Sequence, residues 1–406
     1  MATAESREIV TQHIIQAWEA GYQPVVVVSA MGRQGDPYAT DTLRRLLEEA
    51  GGQPDERELD LLMSCGEVIS TVVLAQHLKA KGFAAVALTG SQAGIITNDR
   101  FGNAGVVTVK PDRVKKALAE GKIVLVTGFQ GATPDGDITT LGRGGSDTTA
   151  AILGVALNAE VIEIYTDVDG IKTADPRIVP DAVTLERITY SEAMELAHLG
   201  AQVVHPHAVE VSMAGKVPLK IRRTGSASPG TLITSSALET PEVLLRVGRP
   251  VTGIAHVADR VYVQLKAKDG QSDAYLAVFD ALGEAGVSVD MVHLSQQRAT
   301  FIVGGNQASK TEAILSQLEV ESSIQPGFAK VSAVGAGMHG LPGVVARVLR
   351  ALSMANITIH KTSDSHANIS VLVKQDDMKK AVAALHQEFA LQNPKTVTCK
   401  EGSLEE

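Results

Sequence analysis

Short uninterrupted apolar runs alternate with helical patterns through the first half of the chain, and this alternation limits the folds open to it. An apolar run between two polar turns predicts a strand that is buried on both faces. Such strands, each followed by a helix, predict an α/β fold with a mostly parallel sheet sandwiched by helices. The apolar runs lie at 24–29, 84–89, 122–127 and 160–165, and the helical patterns lie at about 4–20, 57–81, 111–120 and 147–157.

A polar or glycine-rich loop follows each of these predicted strands. The carboxyl ends of parallel strands share one edge of the sheet, where ligands bind in open α/β folds. Four loops at that edge are better evidence of a ligand site than any one of them alone. The loops lie at 29–32, 89–91, 128–131 and 166–170.

The most specific loop is TTLGRGGSDTT at 139–149, which precedes an apolar helical stretch. Ser146 or Asp147 is expected to cap that helix. Gly144 and Gly145 lack a Cβ and let the backbone approach a ligand, and the free N–H groups of a helix start bind anions. Arg143 adds a fork that can hold a carboxylate at two points. The alternative is an ordinary strand-to-helix loop with a surface arginine.

The second half of the chain contains an internal repeat. Residues 285–289 match 355–359, and residues 301–303 match 371–373, with the same offset in both pairs. Each copy predicts a helix, a strand, a turn, a strand and a second helix, which is the order of a ferredoxin-like α/β sandwich. A further predicted strand at 251–257 can belong to either copy.

Composition narrows the classes of function. A chain of 406 residues is too long for one core, so two or three domains are expected. The net charge of −9, without a basic block, argues against nucleic acid as a partner. No apolar run of membrane-spanning length and no signal peptide are apparent, so no membrane partner is expected. Cys65 and Cys399 are too few for disulfides or a cysteine-rich zinc site, and we expect a reducing cytoplasm.

Six motifs in separate loops, in a fixed order, carry a resemblance to a known family. They are VVSAMG (27–32), MSCGE (63–67), GFQG (128–131), the loop at 140–149, YTDVDG (165–170) and TADPR (173–177). The sequence resembles the aspartate kinases of the amino acid kinase family over essentially its whole length, and the repeated half resembles their paired ACT domains. The resemblance implies a catalytic domain at 1–232, a linker at 233–250, and ACT domains at 251–325 and 326–406.

The activity implied by the resemblance is phosphorylation of the β-carboxylate of L-aspartate by ATP with Mg²⁺. That reaction opens lysine, threonine, methionine and diaminopimelate synthesis. The nucleophile is an anion at neutral pH and needs no strong base. Catalysis therefore consists of alignment and of neutralising charge on the transferred phosphoryl group. No protein metal cluster is predicted.

The resemblance also assigns residues to the amino-acid substrate. Arg143 and Glu67 form the natural pair, with the guanidinium on a carboxylate and the carboxylate on the ammonium. The remaining substrate positions are Ser29, Thr40, Gly144, Gly145 and Ser146, and Asp147 organises the reacting groups as a catalytic residue together with Arg143. The alternatives are a solvated charge for Glu67, a turn residue for Ser29 and a helix cap for Asp147.

On the nucleotide side, the resemblance points to Thr166, Asp167, Lys172 and Arg177. For Lys172 and Arg177, charges in a solvated loop are the alternative.

A regulatory site is implied in the repeated half, and the effector is an end-product amino acid. The glycine turn GAGMHG at 335–340 precedes a helix and can offer N–H groups to a carboxylate, whereas too little chain remains for a dinucleotide fold. We expect Gly337, Met338, Gly343 and Val344 to contact the effector, with Asp290 on its amino group. For Asp290, an ordinary surface aspartate is the alternative. The stretch at 35–41 resembles the subclass sensitive to diaminopimelate, with lysine and threonine as alternatives. Paired ACT domains imply a homo-oligomer.

One departure from the family pattern stands at the N-terminus. The family begins with a strand and Lys-Phe-Gly-Gly-Thr-Ser, whose lysine bridges the transferred phosphate, and this sequence has no counterpart. We expect the chain to be a shortened form, with unpaired edges on the neighbouring strands and activity lowered by about 10²–10³-fold. The competing functions are an amino-acid-sensing subunit without activity and a related kinase acting on glutamate or a nucleoside monophosphate.

Overall fold

The computed structural model describes residues 3–32, 35–201, 203–235, 250–266, 273–295, 298–318, 320–336, 338 and 341–393. The chain forms two compact units. The first consists of Met1–Ile171, Glu186–Met194 and Gln202–Leu238, and the second consists of Lys172–Leu185, Glu195–Ala201 and Glu239–Glu406. Each unit is described by itself below.

The first unit carries the predicted alternation of strands and helices. Its elements are α1 (Ala4–Glu19), β1 (Val25–Val28), α2 (Thr40–Glu49), α3 (Glu56–Ala80), β2 (Ala85–Leu88), β3 (Ile95–Thr97), β4 (Val106–Val109), α4 (Asp112–Ala119), β5 (Ile123–Thr127), β6 (Gln130–Ala132), β7 (Ile138–Thr140), α5 (Gly145–Ala156), β8 (Ile162–Thr166), β9 (Arg187–Thr189), α6 (Tyr190–His198, which ends in the second unit), α7 (Pro206–Gly215), β10 (Leu219–Arg223) and β11 (Thr231–Thr234).

A parallel sheet in the order β1-β5-β2 forms the centre of this unit. All five residues of β5 are buried, as expected for a strand covered on both faces. Ile123 and Leu125 pack with residues of α1 and α3 on one face, and Val124 and Val126 pack with residues of α4 and α5 on the other. The prediction of a parallel sheet sandwiched by helices is thereby confirmed.

Two further sheets complete the first unit. One has the order β8-β10-β11-β9, and the other, built from short hairpins, has the order β4-β3-β6-β7. Strands β1 and β2 lie at the edges of the central sheet, and β8 and β9 lie at the edges of the sheet that contains β10, within the described part of the chain.

Helix α3 is the one described helix whose length and apolar composition would suit a membrane span. The sequence alone predicts no such stretch. However, α3 also carries buried acidic residues, Asp60 and Glu67, and its apolar residues Leu74 and Leu78 pack against the central sheet. The helix is therefore a core element of the first unit.

The second unit contains the two copies of the repeat. Its elements are β12 (Gly253–Lys266), α8 (Asp273–Glu284), β13 (Asp290–Leu294), β14 (Arg298–Gly304), α9 (Ala308–Gln317), β15 (Glu321–Val334), α10 (Val344–Met354), β16 (Lys361–Asp364), β17 (Asn368–Lys374) and α11 (Met378–Glu388). Each copy has the predicted order of helix, strand, strand and helix.

One six-stranded sheet, in the order β13-β14-β12-β15-β17-β16, joins the two copies. The long strands β12 and β15 cross both of them. Residues 260–266 of β12 pair with β14 in the first copy, whereas Gly253–Val257 pair with Val334–Lys330 in the second. The strand that the sequence left open between the copies therefore completes the second one. The predicted boundaries at 232, 250 and 325 remain predictions, and most of the predicted linker lies outside the described residues.

Two lysines reach across neighbouring strands of this sheet. Lys330 of β15 donates to the carboxylate of Asp290 on β13 at 2.6 Å, across two intervening strands. Lys361 of β16 donates to the carbonyl and hydroxyl of Thr300 on β14. Because burial disfavours its charge, the pKa of Lys361 falls to about 8, with Asp290 opposing the shift.

The segment Lys172–Leu185 shares the core of the second copy. Ala174, Val179 and Ala182 pack in the same cluster as Val344 and Leu385. Thr173 lies buried among them and forms a hydrogen bond of 3.0 Å with Nε2 of His386 on α11.

Candidate functional site

Glu67 on α3 is the buried acidic group nearest to the loop after β1. The Asp55 side chain accepts the N–H of Arg57 and begins the helix, and Glu67 follows three turns later. Only 3% of Glu67 is exposed. The backbone N–H of Ala30 donates to its Oε1 at 3.2 Å, whereas Oε2 is buried and has no partner among the described residues. Burial raises the pKa of Glu67 to about 7.

The glycine turn lies between β7 and α5 and has a left-handed backbone at two positions. Gly142 and Gly144 have φ values of +70° and +68°, which a side chain would disfavour. A Cβ on Gly144 would lie 2.1 Å from the ring of His205, so glycine is required there for two reasons. The backbone of the turn is therefore held in one narrow path.

The cap of α5 differs from the prediction. Gly144 is the N-cap, in the left-handed conformation and without a side-chain cap, so neither Ser146 nor Asp147 serves that role. The first N–H of the helical pattern is that of Thr148, which donates to the carbonyl of Gly144. The N–H groups of Ser146 and Asp147 precede it and are available to a ligand at the positive end of the helix.

A positive and a negative side chain, Arg143 and Asp147, flank the start of α5. Arg143 is exposed, and its guanidinium has no partner in the part of the chain that the structure describes. The half-buried Asp147 accepts the N–H of His205 at 3.3 Å, and burial raises the pKa of its carboxyl group. The turn thus presents a free cation beside a carboxylate held by the backbone.

The loops after β1 and β5 reach the start of α5. The N–H of Gly128 donates to the carbonyl of Val28, and a Cβ on Gly128 would lie 2.6 Å from Oγ of Ser146. Exposed Ser29 follows β1 directly, one residue before the Ala30 N–H that binds Glu67. The structure therefore gathers Ser29, Glu67 and the glycine turn at the carboxyl edge of the sheet.

Thr40 begins a helix close to α3. It is half-buried and is the first residue of α2. A Cβ on Gly66 would lie 3.1 Å from the carbonyl oxygen of Tyr38, so the chain just before Thr40 passes close to α3.

The four residues expected on the nucleotide side fall into two units. Thr166 ends β8 in the first unit, and its hydroxyl lies 3.3 Å from the carboxylate of exposed Asp167. Lys172 and Arg177 lie in the second unit, where Arg177 binds both carboxylate oxygens of Asp175 and holds the pKa of that carboxyl group below its usual range. Arg177 is thus already engaged by a neighbouring acid.

The residues expected to bind an effector differ in their burial and in their partners. Asp290 is paired with Lys330, so its charge is already compensated. Met338 and Val344 are buried in the core of the second copy, which leaves their backbone as the part open to a ligand. Gly343 is the left-handed N-cap of α10, and Gly337 lies outside the described residues.

Asp60 is a buried residue of this site that the sequence reasoning missed. It lies two turns before Glu67 on α3, and only 1% of it is exposed. Its carboxylate binds the end of β7, directly before the glycine turn. The available signal was an acidic residue on the helix face that also carries Glu67.

Comparison with known proteins agrees with this geometry. The model of the amino acid kinase family matches residues 3–223, and a model of the ACT domain matches residues 323–387. Aspartokinase 1 of Bacillus subtilis is 47% identical over 389 residues, covering 95% of this chain and 96% of the relative. Aspartokinase of Corynebacterium glutamicum is 40% identical over 406 residues, covering 96% and 94%.

The chain is also similar to solved structures of aspartokinases. Aspartokinase III of Escherichia coli in complex with aspartate and ADP has a TM-score of 0.71 and 27% identity, covering 86% of this chain and 80% of that one. The same enzyme in complex with lysine and aspartate has a TM-score of 0.75 and 25% identity, covering 94% and 96%. The chain belongs to the amino acid kinase family, and its curated relatives within that family are aspartokinases. The resemblance stated from the six motifs is confirmed.

Proposed function

We propose that this chain transfers the γ-phosphoryl group of ATP to the β-carboxylate of L-aspartate, giving 4-phospho-L-aspartate. The observation that carries the proposal is Glu67, a buried carboxylate with one unpartnered oxygen, in the same unit as the free guanidinium of Arg143. An unpartnered buried carboxylate is costly, and a bound ammonium group would relieve that cost. A ligand with both an ammonium and carboxylates therefore suits the pair.

Each end of the substrate has a stated partner in this proposal. Oε2 of Glu67 accepts from the ammonium, and Arg143 holds a carboxylate with two parallel hydrogen bonds. Ser29, Thr40 and the backbone of Gly144, Gly145 and Ser146 line the remaining surface. The second carboxylate then lies free to attack phosphorus as an anion, without a base.

The start of α5 supports the transfer step. The N–H groups of Ser146 and Asp147 and the guanidinium of Arg143 offer positive potential where the phosphoryl group gains charge. Asp147 keeps its place through the N–H of His205 and fixes the turn. Thr166 and Asp167 of the first unit are the proposed contacts of the nucleotide. The roles that the resemblance implies for Lys172 and Arg177 remain predictions.

The described residues contain no group of three or more acidic, histidine or cysteine side chains fit to hold a metal. Mg²⁺ commonly keeps several waters and binds through substrate phosphates, so we propose that the metal arrives with ATP. When bound, the metal neutralises charge on the phosphates.

Regulation and assembly complete the proposal. An end-product amino acid, such as lysine, threonine or diaminopimelate, is the proposed effector, and the chain is proposed to form a homo-oligomer through its repeated half. A solved relative is a complex with lysine, which supports an amino-acid effector. The relatives match both halves of this chain, which supports a kinase over a sensing subunit. The cytoplasmic location expected from the cysteine content remains a prediction.

A direct assay tests the proposed reaction. ADP release is measured with aspartate, with glutamate and without an amino acid, in the presence of Mg²⁺ and ATP. Release that depends on aspartate and disappears in Arg143→Ala and Glu67→Gln supports the proposal. Equal release with glutamate would favour the related amino-acid kinase. The proposal falls if ADP release does not depend on aspartate and calorimetry detects no binding of aspartate.

A further inference from the structure

Asp60 is a buried carboxylate that the proposed reaction does not use directly. It accepts three hydrogen bonds, from the N–H of Gly102 at 2.9 Å, from the N–H of Thr140 at 2.7 Å and from the hydroxyl of Thr140 at 2.6 Å. A buried charge is expensive unless it is fully hydrogen-bonded, and these three donors satisfy it. A carboxylate suits the place because it accepts only, and all of its partners donate.

Thr140 is the point from which the glycine turn begins. It is the last residue of β7, and its carbonyl accepts the N–H of Ala104 at 2.8 Å. Its N–H, carbonyl and hydroxyl are thus all held, two of them by Asp60. Arg143 follows three residues later, at most about 10 Å of extended chain away. The placement of Thr140 therefore limits where Arg143 can lie.

Asp60 and Glu67 lie seven residues apart on α3. Seven residues are nearly two turns, so both carboxylates lie on one face and about 10 Å apart along the axis. Between them, the carbonyl of Ser64 accepts from Nε2 of Gln130 at 3.0 Å, and Gln130 pairs with Thr140 in the hairpin. Helix α3 therefore contacts the hairpin at two levels and the loop after β1 at a third.

We infer that Asp60 is a positioning residue for the amino-acid site. Through Thr140 it fixes the start of the glycine turn and hence the reach of Arg143. Because Glu67 lies on the same helix, α3 sets the separation between the group that binds the ammonium and the group that binds the carboxylate. This inference rests on the proposed binding of aspartate between Glu67 and Arg143.

Asp60→Asn tests the inference, since it keeps the size of the side chain and replaces one acceptor with a donor. We expect the Kd for aspartate, measured by calorimetry, to rise about 10-fold or more, as for other contacts within a coupled network. The readout that separates positioning from stability is a double-mutant cycle with Arg143→Lys. Lysine is a point charge on a flexible stem and needs less exact placement than the planar fork of arginine.

In the Arg143→Lys background, the effect of Asp60→Asn is expected to shrink to less than about threefold. A merely structural role would lower the fraction of folded protein by the same factor in both backgrounds and leave the Kd of the folded molecules unchanged. An unchanged Kd in Asp60→Asn would therefore overturn the inference. An equal rise of the Kd in both backgrounds would overturn it as well, because the effect would then be independent of Arg143.

Thr140 provides a second pair of variants in case Asp60→Asn does not fold. Thr140→Val removes the hydroxyl and keeps the backbone N–H on Asp60, so it should raise the Kd for aspartate in the same direction. Thr140→Ser restores the hydroxyl and should return the Kd to within about twofold of the unchanged chain. Equal Kd values for the valine and serine variants would contradict the inference.

Asp137→Asn is the matched control. Asp137 is a half-buried carboxylate at the start of the same hairpin strand and binds Arg57 in the first turn of α3, outside the amino-acid site. The same chemical change there should leave the Kd for aspartate unaltered.

If the unchanged chain fails to bind aspartate, the proposed function falls. If the unchanged chain binds aspartate, and Arg143→Lys weakens the binding but Asp60→Asn does not, the inference about Asp60 falls and the proposed function stands.

Discussion

The hydroxyl of Thr173 lies 3.0 Å from Nε2 of His386, a residue 213 positions further along the chain. Both side chains are buried in the core of the second copy of the repeat. Thr173 precedes Asp175 and Arg177 on a segment expected to contact nucleotide, whereas His386 belongs to α11 of the repeated half. One hydrogen bond therefore joins a segment expected to contact nucleotide to a helix of the repeated half.

His386→Leu should destabilise the second unit. The change leaves the buried hydroxyl of Thr173 with only its bond from the N–H of Val183, and the expected loss is about 1–3 kcal/mol. Chemical unfolding followed by far-UV circular dichroism measures it. His207→Leu, at an exposed histidine, is the control and should change stability little. Equal stabilities would show that the bond contributes nothing.

The same histidine predicts a dependence on pH. Burial lowers the pKa of His386 below its usual 6.5, so the unfolded chain binds a proton that the folded one does not. Stability is therefore lost as the pH falls below about 6.5. The difference in unfolding free energy between the unchanged chain and His386→Leu should narrow as the pH falls from 7.5 to 5.5. A constant difference would contradict the assigned environment.

Aspartate binding should depend on pH through Glu67. Its pKa is raised from 4.5 to about 7, so the folded chain without ligand keeps a proton between these values, and binding of an ammonium needs the carboxylate. The Kd for aspartate should therefore fall as the pH rises, by up to about tenfold per unit below 7, and level off above it. Titrations from pH 5.5 to 8.5 measure this profile.

Two variants decide whether Glu67 causes that profile. Glu67→Gln should bind aspartate weakly and with a flat pH profile. Glu56→Gln, at an exposed glutamate in the first turn of the same helix, should keep the profile of the unchanged chain. An unchanged slope in Glu67→Gln would assign the titration to another group.

Gly144→Ala should abolish activity and lower stability. Alanine at a φ of +68° costs about 1–2 kcal/mol, and its Cβ would in addition collide with the ring of His205. Gly121→Ala is matched, with a φ of +70° and open space around the added methyl group. Thermal unfolding should show a larger loss for Gly144→Ala than for Gly121→Ala. Equal losses would mean that the ring moves aside without penalty.

Lys361 should make the repeated half more stable at alkaline pH. Its pKa is lowered to about 8, so between that value and about 10.4 the unfolded chain holds a proton that the folded chain has released. Stability contributed by this group therefore rises with pH across that window. The difference in unfolding free energy between the unchanged chain and Lys361→Met should grow from pH 7.5 to 9.5. Lys266→Met, at an exposed ion pair, should show no such growth.

Local patterns predicted the elements of the first unit well. The apolar run at 122–127 became β5, and the pattern at 57–81 became α3, each within a residue of the observed ends. These elements bury continuous or periodic apolar faces, which the sequence displays directly. The glycine turn was likewise visible, because left-handed backbone selects glycine at Gly142 and Gly144.

Features that depend on distant pairing were not visible in the same way. The role of Asp60 arises from Thr140, which is 80 positions away, and nothing near Asp60 in the sequence shows that partner. The cap of α5 was mistaken because serine and aspartate are common caps, whereas a left-handed glycine starts this helix. The pairing of Asp290 with Lys330 follows from the curl of the sheet, which local periodicity does not encode.

In strand β12, Gly253–Val257 pair within the second copy of the repeat, and residues 260–266 pair with β14 of the first copy. Excising either copy would deprive the survivor of a sheet strand and expose its apolar interior to water. The two copies of the repeat should therefore unfold together as a single unit. A chimera that exchanges the repeated half with that of a relative should therefore be joined outside 253–388, because a junction between the copies would leave the apolar core of each uncovered.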